Sequence, residues 1–233
     1  SLAPAQHHLP NFASTCPTLQ VPMGCMSSVG FHRQYCLKAK LGKGAFSQVH
    51  LARAVAHSND VAVKITDLRG ASRHLDGQCD KLDQRTERAV KKEVVILRKL
   101  GTQPHCVAFH QEFFEGRLSY IVMERCDMTL LQALESMPAL TEHTLVRIIK
   151  EMLQALRGIH RLGVVHCDLK PENFLSTGAE RTVKLCDFNL AKLLPGGSSS
   201  NDLRGVCGTA PFMSPEMLRG DRYGARTDIW SLG

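Results

Sequence analysis

Several features that define other classes of protein are missing from this sequence. It has no run of about 18 apolar residues, so it contains no candidate membrane-spanning helix. Its nine cysteines are an odd number without CxxC pairs, and its eleven histidines show no HExxH spacing, so neither a disulfide framework nor a zinc site is indicated. No EF-hand loop is present, which argues against direct calcium control within this chain. We therefore expect reduced, buried thiols and a cytoplasmic location.

The composition is that of an ordinary soluble enzyme. The 233 residues are 43% hydrophobic and 22% charged, enough to bury a substantial core in one domain or two lobes. The net charge of +7 comes from 29 basic and 22 acidic residues spread along the chain. This excess suits a polyanionic ligand, but it is also typical of a solvated surface, and we expect no nucleic-acid partner.

The most informative stretch is residues 164–189, VVHCDLKPENFLSTGAERTVKLCDFN. Its first half holds Asp168, Lys170 and Asn173, and Asp187 follows a short apolar strand. Phosphoryl transfer needs a carboxylate that orients the attacking hydroxyl, oxygen ligands for Mg²⁺ and a cation near the moving group. The stretch therefore indicates phosphoryl transfer on two loops that a hairpin brings together. The alternative is a polar loop followed by an ordinary β-hairpin.

A glycine-rich turn occurs earlier, in residues 41–49, LGKGAFSQV. Such a turn lets backbone N–H groups approach phosphates closely. The spacing could also open a dinucleotide-binding helix, but residues 49–52 continue as a strand, which favours a phosphate-binding hairpin. Ser47 replaces the third glycine, where the turn is least tight, so the substitution should be tolerated.

A lysine and a glutamate follow in separate elements. Lys64 stands in the apolar strand VAVKI, and a lysine buried in a strand requires a partner. A helix is predicted over Arg85–Leu100 from its apolar face, with Glu93 at the start of EVVIL. The alternative for Glu93 is an exposed helix acid paired with a nearby lysine.

These motifs, in this order, resemble those of eukaryotic protein kinases. HCDLKPEN at 166–173 resembles the catalytic loop, and DFN at 187–189 resembles the magnesium-binding DFG turn. MERC at 123–126 resembles the hinge that binds adenine, and SPE at 214–216 resembles the anchor of the substrate-docking loop. The resemblance covers about residues 33–233.

The form of the catalytic loop indicates the acceptor. Lys170 followed by Pro171 and Glu172 is the Ser/Thr-kinase form, and the nearest group in appearance is the calcium/calmodulin-dependent type. The resemblance implies ATP and Mg²⁺ as cofactors, protein substrates with Ser or Thr acceptors, and a monomer. Because residues 127–131 lack the GGxL sequence of that group, the selection of a basic substrate side chain there is in doubt.

The resemblance also assigns roles. Asp168 would be the catalytic base, Lys170 would stabilise the γ-phosphate, and Lys64 would hold the α- and β-phosphates while paired with Glu93. The Mg²⁺ ligands would be Asn173 and Asp187. The nucleotide would be bound by Leu41, Gly42, Lys43, Gly44, Ala45, Phe46, Ser47, Val49, Ala62, Lys64, Met123, Glu124, Cys126, Leu175 and Cys186.

The implied fold is α+β and two-lobed. Residues 31–126 would form a small antiparallel β-sheet lobe with one helix, and residues 127–233 a mostly helical second lobe. That lobe is expected to be incomplete, since residues 226–233 resemble only the start of its central helix. We therefore expect a truncated chain that is unstable alone, because its open core surface would lose roughly 25 cal/mol per Å² of burial.

Residues 1–30 are rich in Pro, Ser, Gln and His and are expected to form a disordered leader. Translation that began at Met23 would expose Gly24 to myristoylation, with Cys25 as a second acylation site. Contact with a membrane is expected only in that case, and a chance tripeptide is the alternative.

Two departures from the kinase pattern lead to predictions. Cys167 replaces the arginine that usually holds a phosphate on the activation segment, so activity should not depend on phosphorylation there, including at Ser198–Ser200. Asn189 replaces the glycine of DFG, and asparagine tolerates the positive φ that we expect at this position. Cys186 is either a thiol open to electrophiles or a buried, inert cysteine.

Two further expectations concern the site, and the chain as a whole has rival interpretations. Thr209 should hydrogen-bond Asp168 and Lys170, and Asp228 should hold the backbone of the catalytic loop. The rival readings are a nucleotide-binding pseudokinase or scaffold, or an inactive fragment. A nucleotide-dependent dehydrogenase would instead require a helix directly after the glycines and a parallel sheet.

Overall fold

The structure, a computed structural model, describes residues 30–44, 47–57, 59–69, 82–197 and 201–233. The leader with its acylation motif, Ala45, Phe46 and Ser198–Ser200 lie outside the described residues. The described chain has the α+β fold that the sequence predicted, with an antiparallel sheet in its first lobe, although that lobe holds two helices where one was expected.

The first lobe is built on a five-stranded sheet in the order β1-β2-β3-β5-β4, in which all neighbours are antiparallel. A short helix, α1 (Phe31–Gln34), precedes it. The strands are β1 (Tyr35–Lys43), β2 (Ser47–Ala54), β3 (Asp60–Asp67), β4 (Phe109–Glu115) and β5 (Leu118–Glu124). Because a strand follows the glycines and the four strand pairs of this sheet are all antiparallel, the dehydrogenase alternative is excluded.

Helix α2 (Gln84–Leu100) lies between β3 and β4 in the chain, within one residue of its predicted start. Asp83 caps it by accepting hydrogen bonds from the backbone N–H groups of Arg85 and Thr86. Its apolar stripe is buried, and Glu93, only 4% exposed, lies on the same face. A buried carboxylate in an apolar stripe needs a charged partner, and for Glu93 that partner is Lys64.

The second lobe begins with two helices. Strand β6 (Met128–Thr129) leads into α3 (Leu130–Glu135), which starts with a capping box between Thr129 and Gln132. Helix α4 (Glu142–Arg161) follows, and the Thr141 hydroxyl accepts a hydrogen bond from the N–H of Thr144 as its N-terminal cap.

The apolar stripe of α4 is only partly buried. Ile148, Leu156 and Ile159 are buried, whereas Leu145, Ile149 and Leu153 are 39%, 50% and 43% exposed. The exposed three recur at four-residue spacing on one flank of the helix, and no described element covers that flank.

Short strands and helices complete the described chain. They are β7 (Val164–Val165), β8 (Phe174–Thr177), β9 (Thr182–Leu185), β10 (Lys192–Leu193), α5 (Pro215–Leu218) and α6 (Arg226–Leu232), with 3₁₀ turns at Pro171–Asn173 and Ala210–Phe212. β6, β8 and β9 form one sheet, and β7 pairs with β10. No described helix is long and apolar enough to cross a membrane.

One hydrophobic core joins the two lobes. It extends from Leu97 on α2 and Ile121 on β5 to Leu156 on α4, and it includes Leu185 and Phe188, which flank Asp187. The chain segment that carries Asp187 is therefore fixed by apolar packing on both sides, next to α2 and the central strands.

Candidate active site

Three charged side chains from three elements meet between the lobes. Lys64 Nζ on β3 donates hydrogen bonds to Glu93 Oε1 on α2 at 2.7 Å and to Asp187 Oδ1 after β9 at 2.8 Å. Lys64 and Glu93 are almost completely buried, and the side chain of Asp187 is 36% exposed. The structure thus pairs Lys64 with Glu93, and the reading of Glu93 as an exposed helix acid is excluded.

Burial and charge compete in this cluster. Burial alone would lower the pKa of Lys64, but the carboxylates of Glu93 and Asp187 outweigh it and hold that pKa above its ordinary value. Burial acts against the ionised form of Asp187 as well, yet the charge and hydrogen bond of Lys64 leave the pKa of Asp187 lowered. Lys64 and Asp187 are therefore both charged at neutral pH.

A second cluster surrounds the catalytic-loop aspartate. Lys170 Nζ lies 3.0 Å from Asp168 Oδ2, and it donates a hydrogen bond to Thr209 Oγ1 at 2.9 Å. The same Thr209 hydroxyl donates to Asp168 Oδ1 at 2.7 Å. The bonds expected from Thr209 to Asp168 and Lys170 are both present. They leave a carboxylate and an ammonium side by side, held in position by a hydroxyl from a distant segment.

The backbone of the catalytic loop is held by Asp228, as the sequence predicted. The fully buried Asp228 carboxylate accepts hydrogen bonds from the N–H groups of His166 at 2.9 Å and Cys167 at 3.0 Å. His160 Nε2 lies 2.8 Å from the same carboxylate. Cys167 has a φ of 66°, a strained value for a residue with a side chain, and these bonds hold it there.

The predicted magnesium ligands lie on one hairpin. Asn173 Nδ2 donates to the carbonyl oxygen of Asp168 at 2.7 Å, which commits the amide nitrogen and leaves Oδ1 as the ligand atom. The N–H of Cys186 donates to the carbonyl oxygen of Asn173 at 2.9 Å, and this bond holds the residue before Asp187 against Asn173. One carboxylate and one amide oxygen are the hard oxygen donors that Mg²⁺ accepts, so the residues fit the ion.

The turn at Asp187 corrects one prediction. Its left-handed residue is Asp187, with a φ of 59°, and Asn189 is not among the described residues with a positive φ. Asn189 is exposed in a turn closed by the hydrogen bond from the N–H of Ala191 to the carbonyl oxygen of Phe188 at 3.1 Å. No glycine is required at this position, because the backbone does not enter the region that disfavours side chains.

The predicted nucleotide-binding residues that the structure describes come from both lobes. Leu41, Gly42 and Lys43 end β1, and the N–H of Gly44 donates to the carbonyl oxygen of Ser47 at 2.8 Å, which closes the turn. Of the other described residues of this set, Cys126 and Cys186 follow the ends of β5 and β9, and the rest lie on strands. In the register of the sheet Val49 is opposite Lys64 and Ala62 is opposite Met123, and on β8 Leu175 is opposite Lys184.

The hinge residues are fixed by one side chain. Glu124 Oε2 accepts hydrogen bonds from the N–H of Ala108 and from Lys184 Nζ, both at 3.0 Å. This carboxylate is occupied within the protein, and the backbone N–H of Glu124 donates to the carbonyl oxygen of Ala108 at 2.8 Å. In the described chain, the N–H of Cys126 has no protein acceptor, as a group that binds a ligand requires.

Of the two readings of Cys186, the structure favours the inert one. Burial raises the pKa of its thiol, and the neighbouring charge of Asp187 raises it further. A thiol with a raised pKa forms little thiolate and reacts slowly with electrophiles. All six cysteines among the described residues are free thiols, but only Cys106 and Cys167 are buried, so the expectation of buried thiols was wrong for the other four.

Two residues of the site were not singled out from the sequence. His166 accepts a hydrogen bond from the N–H of Asp168 at Nδ1 and donates to the carbonyl oxygen of Cys186 at 3.0 Å, so it joins the two loops. Gly208 has a φ of +103°, and a Cβ there would collide with the carbonyl oxygen of Cys167. Both residues lie inside segments that resemble known motifs, and this resemblance could have identified them from the sequence.

Comparison with known proteins places these features in a family. The model of the protein kinase domain matches residues 35–233. The chain is 32% identical over 207 residues to CBL-interacting protein kinase 20 of Oryza sativa subsp. japonica, covering 86% of this chain and 43% of that protein. It is 32% identical over 207 residues to calcium-dependent protein kinase 24 of Arabidopsis thaliana, covering 88% of this chain and 33% of that protein.

A bacterial relative matches to a similar extent. The chain is 35% identical over 209 residues to serine/threonine-protein kinase PknB of Mycobacterium tuberculosis (strain ATCC 25618 / H37Rv), covering 86% of this chain and 31% of the relative. The chain thus spans less than half the length of these curated relatives.

Proposed function

The chain belongs to the protein kinase family, and we propose that it transfers the γ-phosphate of ATP to Ser or Thr hydroxyls of proteins, with Mg²⁺ as cofactor. The observation that carries this proposal is the triangle of Asp168, Lys170 and Thr209, in which each polar group lies within 3.0 Å of the next. This triangle places a base for the acceptor hydroxyl next to a cation for the transferred phosphoryl group.

The residues of this chain act in two groups. Asp168 is placed to orient the acceptor hydroxyl and take its proton, and Lys170 is placed to stabilise the negative charge of the moving phosphoryl group. Lys64, held by Glu93, is positioned to bind the other phosphates. Because its ammonium is already in place when ATP arrives, little reorganisation accompanies binding.

Magnesium would be held by Asp187 and by Oδ1 of Asn173. When bound, the ion neutralises charge on the phosphates. A ligand for the ion should be negatively charged at neutral pH. Asp187 is suited to this role because its pKa is lowered, so its carboxylate is ionised. Asn173 can hold the ion through Oδ1, because its amide nitrogen is already bonded to the backbone carbonyl oxygen of Asp168.

Independence from activation-segment phosphorylation is part of the proposal. Cys167 stands where regulated kinases carry an arginine, and its side chain is buried in an apolar cluster with Leu194, Met217 and Tyr223. A thiol in apolar surroundings offers no cation for a phosphate. The segment is instead attached to the catalytic loop through Thr209 and through the close approach of Gly208.

The competing function is that of a pseudokinase or scaffold, suggested by Cys167 and Asn189. The retained Lys64, Asp168, Asn173 and Asp187 favour the enzyme, and the exposed, unstrained Asn189 removes one reason for doubting it. A scaffold that only binds nucleotide has no need for a carboxylate and an ammonium held by Thr209.

The test follows labelled γ-phosphate from ATP into pools of Ser/Thr peptides and of matched Tyr peptides, with the full-length protein. We expect label in the Ser/Thr pool alone, and its loss in Asp168→Asn, with nucleotide binding retained. A folded, nucleotide-binding protein that transfers no label to either pool would favour the scaffold.

A further inference from the structure

A buried tyrosine contacts the activation segment at three alternate residues. The backbone N–H groups of Tyr223 and Leu203 each donate to the carbonyl oxygen of the other residue at 3.0 Å. The phenol of Tyr223, a residue only 2% exposed, donates to the carbonyl oxygen of Gly205 at 2.8 Å, and its oxygen lies 3.3 Å from Cys207 Sγ. Thr209, whose hydroxyl reaches the catalytic loop, is two residues further on. Tyr223 therefore holds the segment directly before that hydroxyl.

A lysine completes this arrangement. Lys192 Nζ donates one hydrogen bond to the phenol oxygen of Tyr223 at 2.5 Å and another to the carbonyl oxygen of Arg204 at 2.9 Å. The ammonium also lies 5.1 Å from the centroid of the Tyr223 ring, within the range of a cation–π contact. Among the described residues no carboxylate forms an ion pair with Lys192, so neutral oxygen atoms are its hydrogen-bond partners.

The hydrogen bonds of the two side chains depend on each other. The single phenol proton of Tyr223 is donated to Gly205, so the phenol oxygen is free to accept from the ammonium of Lys192. A hydrogen bond with a charged donor is stronger than one between neutral groups. Removal of either side-chain group therefore breaks the strongest bond of the other one, and we expect the two residues to act as a unit.

Both side chains start from elements that are fixed to the catalytic loop. Lys192 on β10 is opposite Val165 on β7, and Val165 directly precedes His166. Tyr223 lies five residues before Asp228, whose carboxylate accepts the backbone N–H of His166. Residues that contact Lys192 and Tyr223 are therefore tied to the same part of the structure that carries the proposed base.

The segment that they hold contains two glycines within four residues. Gly205 and Gly208 have positive φ values of 84° and 103°, and Val206 between them is 59% exposed. Glycine loses more conformational freedom than other residues when a chain becomes ordered. Contacts from outside the segment must offset this loss if Thr209 is to stay in one place.

We propose that Lys192 and Tyr223 position Thr209 for phosphotransfer by holding residues 203–207 against the frame of the catalytic loop. The role in phosphotransfer rests on the proposed function. The partners of Lys192 are phenol and carbonyl oxygens of the protein, so this part of the segment is held without a phosphate group. Lys192 and Tyr223 are positioning residues, because they act through Thr209 and not on the reacting groups themselves.

Two substitutions remove the polar groups and retain much of the packing. Tyr223→Phe keeps the buried ring, and Lys192→Met keeps an apolar chain. Each should lower kcat roughly tenfold, because small displacements of reacting groups have effects of this size. KM for ATP should be unchanged, because neither residue belongs to the predicted nucleotide-binding set. The double variant should lose no more activity than the single variants, because the two groups act as a unit.

A combined Thr209→Val and Tyr223→Phe variant tests whether the effect passes through Thr209. If Tyr223 only positions the Thr209 hydroxyl, its own hydroxyl should no longer matter once that group is gone. We expect kcat of the combined variant to equal kcat of Thr209→Val alone. A further tenfold loss in the combined variant would overturn the positioning role, because Tyr223 would then act by another route.

Hydrogen exchange tests the same contacts without any need for phosphotransfer. In the folded, full-length protein, the peptide that contains residues 203–209 should exchange roughly tenfold faster in Tyr223→Phe and in Lys192→Met than in the wild type. The matched control is Arg222→Met. Arg222 pairs with Asp202 at 2.8 Å between the same two stretches of chain, but both side chains are more than half exposed. This variant should change neither exchange nor kcat.

Unchanged exchange in Tyr223→Phe and Lys192→Met would overturn the proposal, as would faster exchange with the kcat of the wild type. Equal effects of Arg222→Met would also contradict it, because any link between the two stretches would then suffice. A folded wild-type protein that transfers no phosphate would refute the proposed function instead. The exchange rates would still decide whether Lys192 and Tyr223 hold the segment.

Discussion

The hydroxyl of Thr209 donates a 2.7 Å hydrogen bond to the carboxylate of Asp168, a residue 41 positions earlier in the chain. The same oxygen accepts a hydrogen bond from Lys170 at 2.9 Å. A single hydroxyl therefore holds the proposed base and the proposed phosphate-binding cation. Thr209 therefore links the activation segment to Asp168 and Lys170. A substitution that removes its hydroxyl tests whether it positions these two residues.

Thr209→Val should remove that hydroxyl while preserving the shape of the side chain. We expect kcat to fall roughly 10- to 100-fold, because hydrogen bonds to charged groups contribute about 1.5–3 kcal/mol. KM for ATP should change little. Steady-state kinetics measure both quantities, and Thr209→Ser, which restores a hydroxyl, should recover most of kcat. A valine variant with unchanged kcat would show that Thr209 does not position Asp168 and Lys170.

The buried ion pair allows a test of stability as well as activity. Lys64→Met should destabilise the fold by about 3–5 kcal/mol, because it leaves the buried Glu93 and the nearby Asp187 without their cation. Phosphotransfer should be lost. The matched control is Lys91→Met, since Lys91 forms an exposed pair with Glu87 at 2.6 Å and should change stability by less than about 0.5 kcal/mol.

Chemical denaturation of both variants measures the difference. Equal losses of stability for Lys64→Met and Lys91→Met would contradict the account of the cluster as a buried, mutually dependent pair. A stable Lys64→Met protein that lacks phosphotransfer would assign Lys64 a catalytic role without the structural one.

Asn189→Gly should have little effect, although it restores the glycine of the DFG motif. Asn189 is exposed and its φ is not positive, so glycine offers no conformational advantage there and only adds freedom to the unfolded chain. We expect activity within about twofold of wild type and a stability loss of at most about 1 kcal/mol. A large gain in activity would show that the asparagine restrains the turn.

Simultaneous substitution of Ser198–Ser200 by alanine tests independence from activation-segment phosphorylation. Because Cys167 supplies no cation for a phosphate, we expect the variant to retain wild-type phosphotransfer. The measurement is kcat/KM with and without prior phosphatase treatment of the wild-type protein. Abolished activity in the variant, or a strong dependence on phosphatase treatment, would refute this part of the proposal.

Much of the site could be predicted because local sequence encodes it. The buried lysine of a strand needs a carboxylate, and the order of the two elements identified Glu93 correctly. The resemblance of 166–173 and 226–233 to known motifs placed Asp228 under the catalytic loop, where it accepts the N–H groups of His166 and Cys167. Few other arrangements would satisfy the charge and hydrogen-bonding groups of these residues, so their contacts could be predicted.

Other features depend on long-range packing and were not predictable in this way. Periodicity on α4 identified apolar positions such as Ile149 but not which flank is covered. The left-handed residue of the DFN turn is Asp187, because the flanking Leu185 and Phe188 are fixed in the core and force the backbone to turn at that point. The close approach of Gly208 to the carbonyl oxygen of Cys167 also arises from long-range packing, which no local pattern records.

The most direct test of the central claim is magnesium-dependent phosphotransfer by the full-length protein compared with its Asp187→Ala variant. Labelled γ-phosphate from ATP is followed into a Ser/Thr peptide pool as the Mg²⁺ concentration is raised. The account predicts transfer that rises with Mg²⁺ in the wild-type protein and is absent from a folded Asp187→Ala protein. Equal transfer by both proteins, or none by a folded wild-type protein that binds ATP, would contradict it.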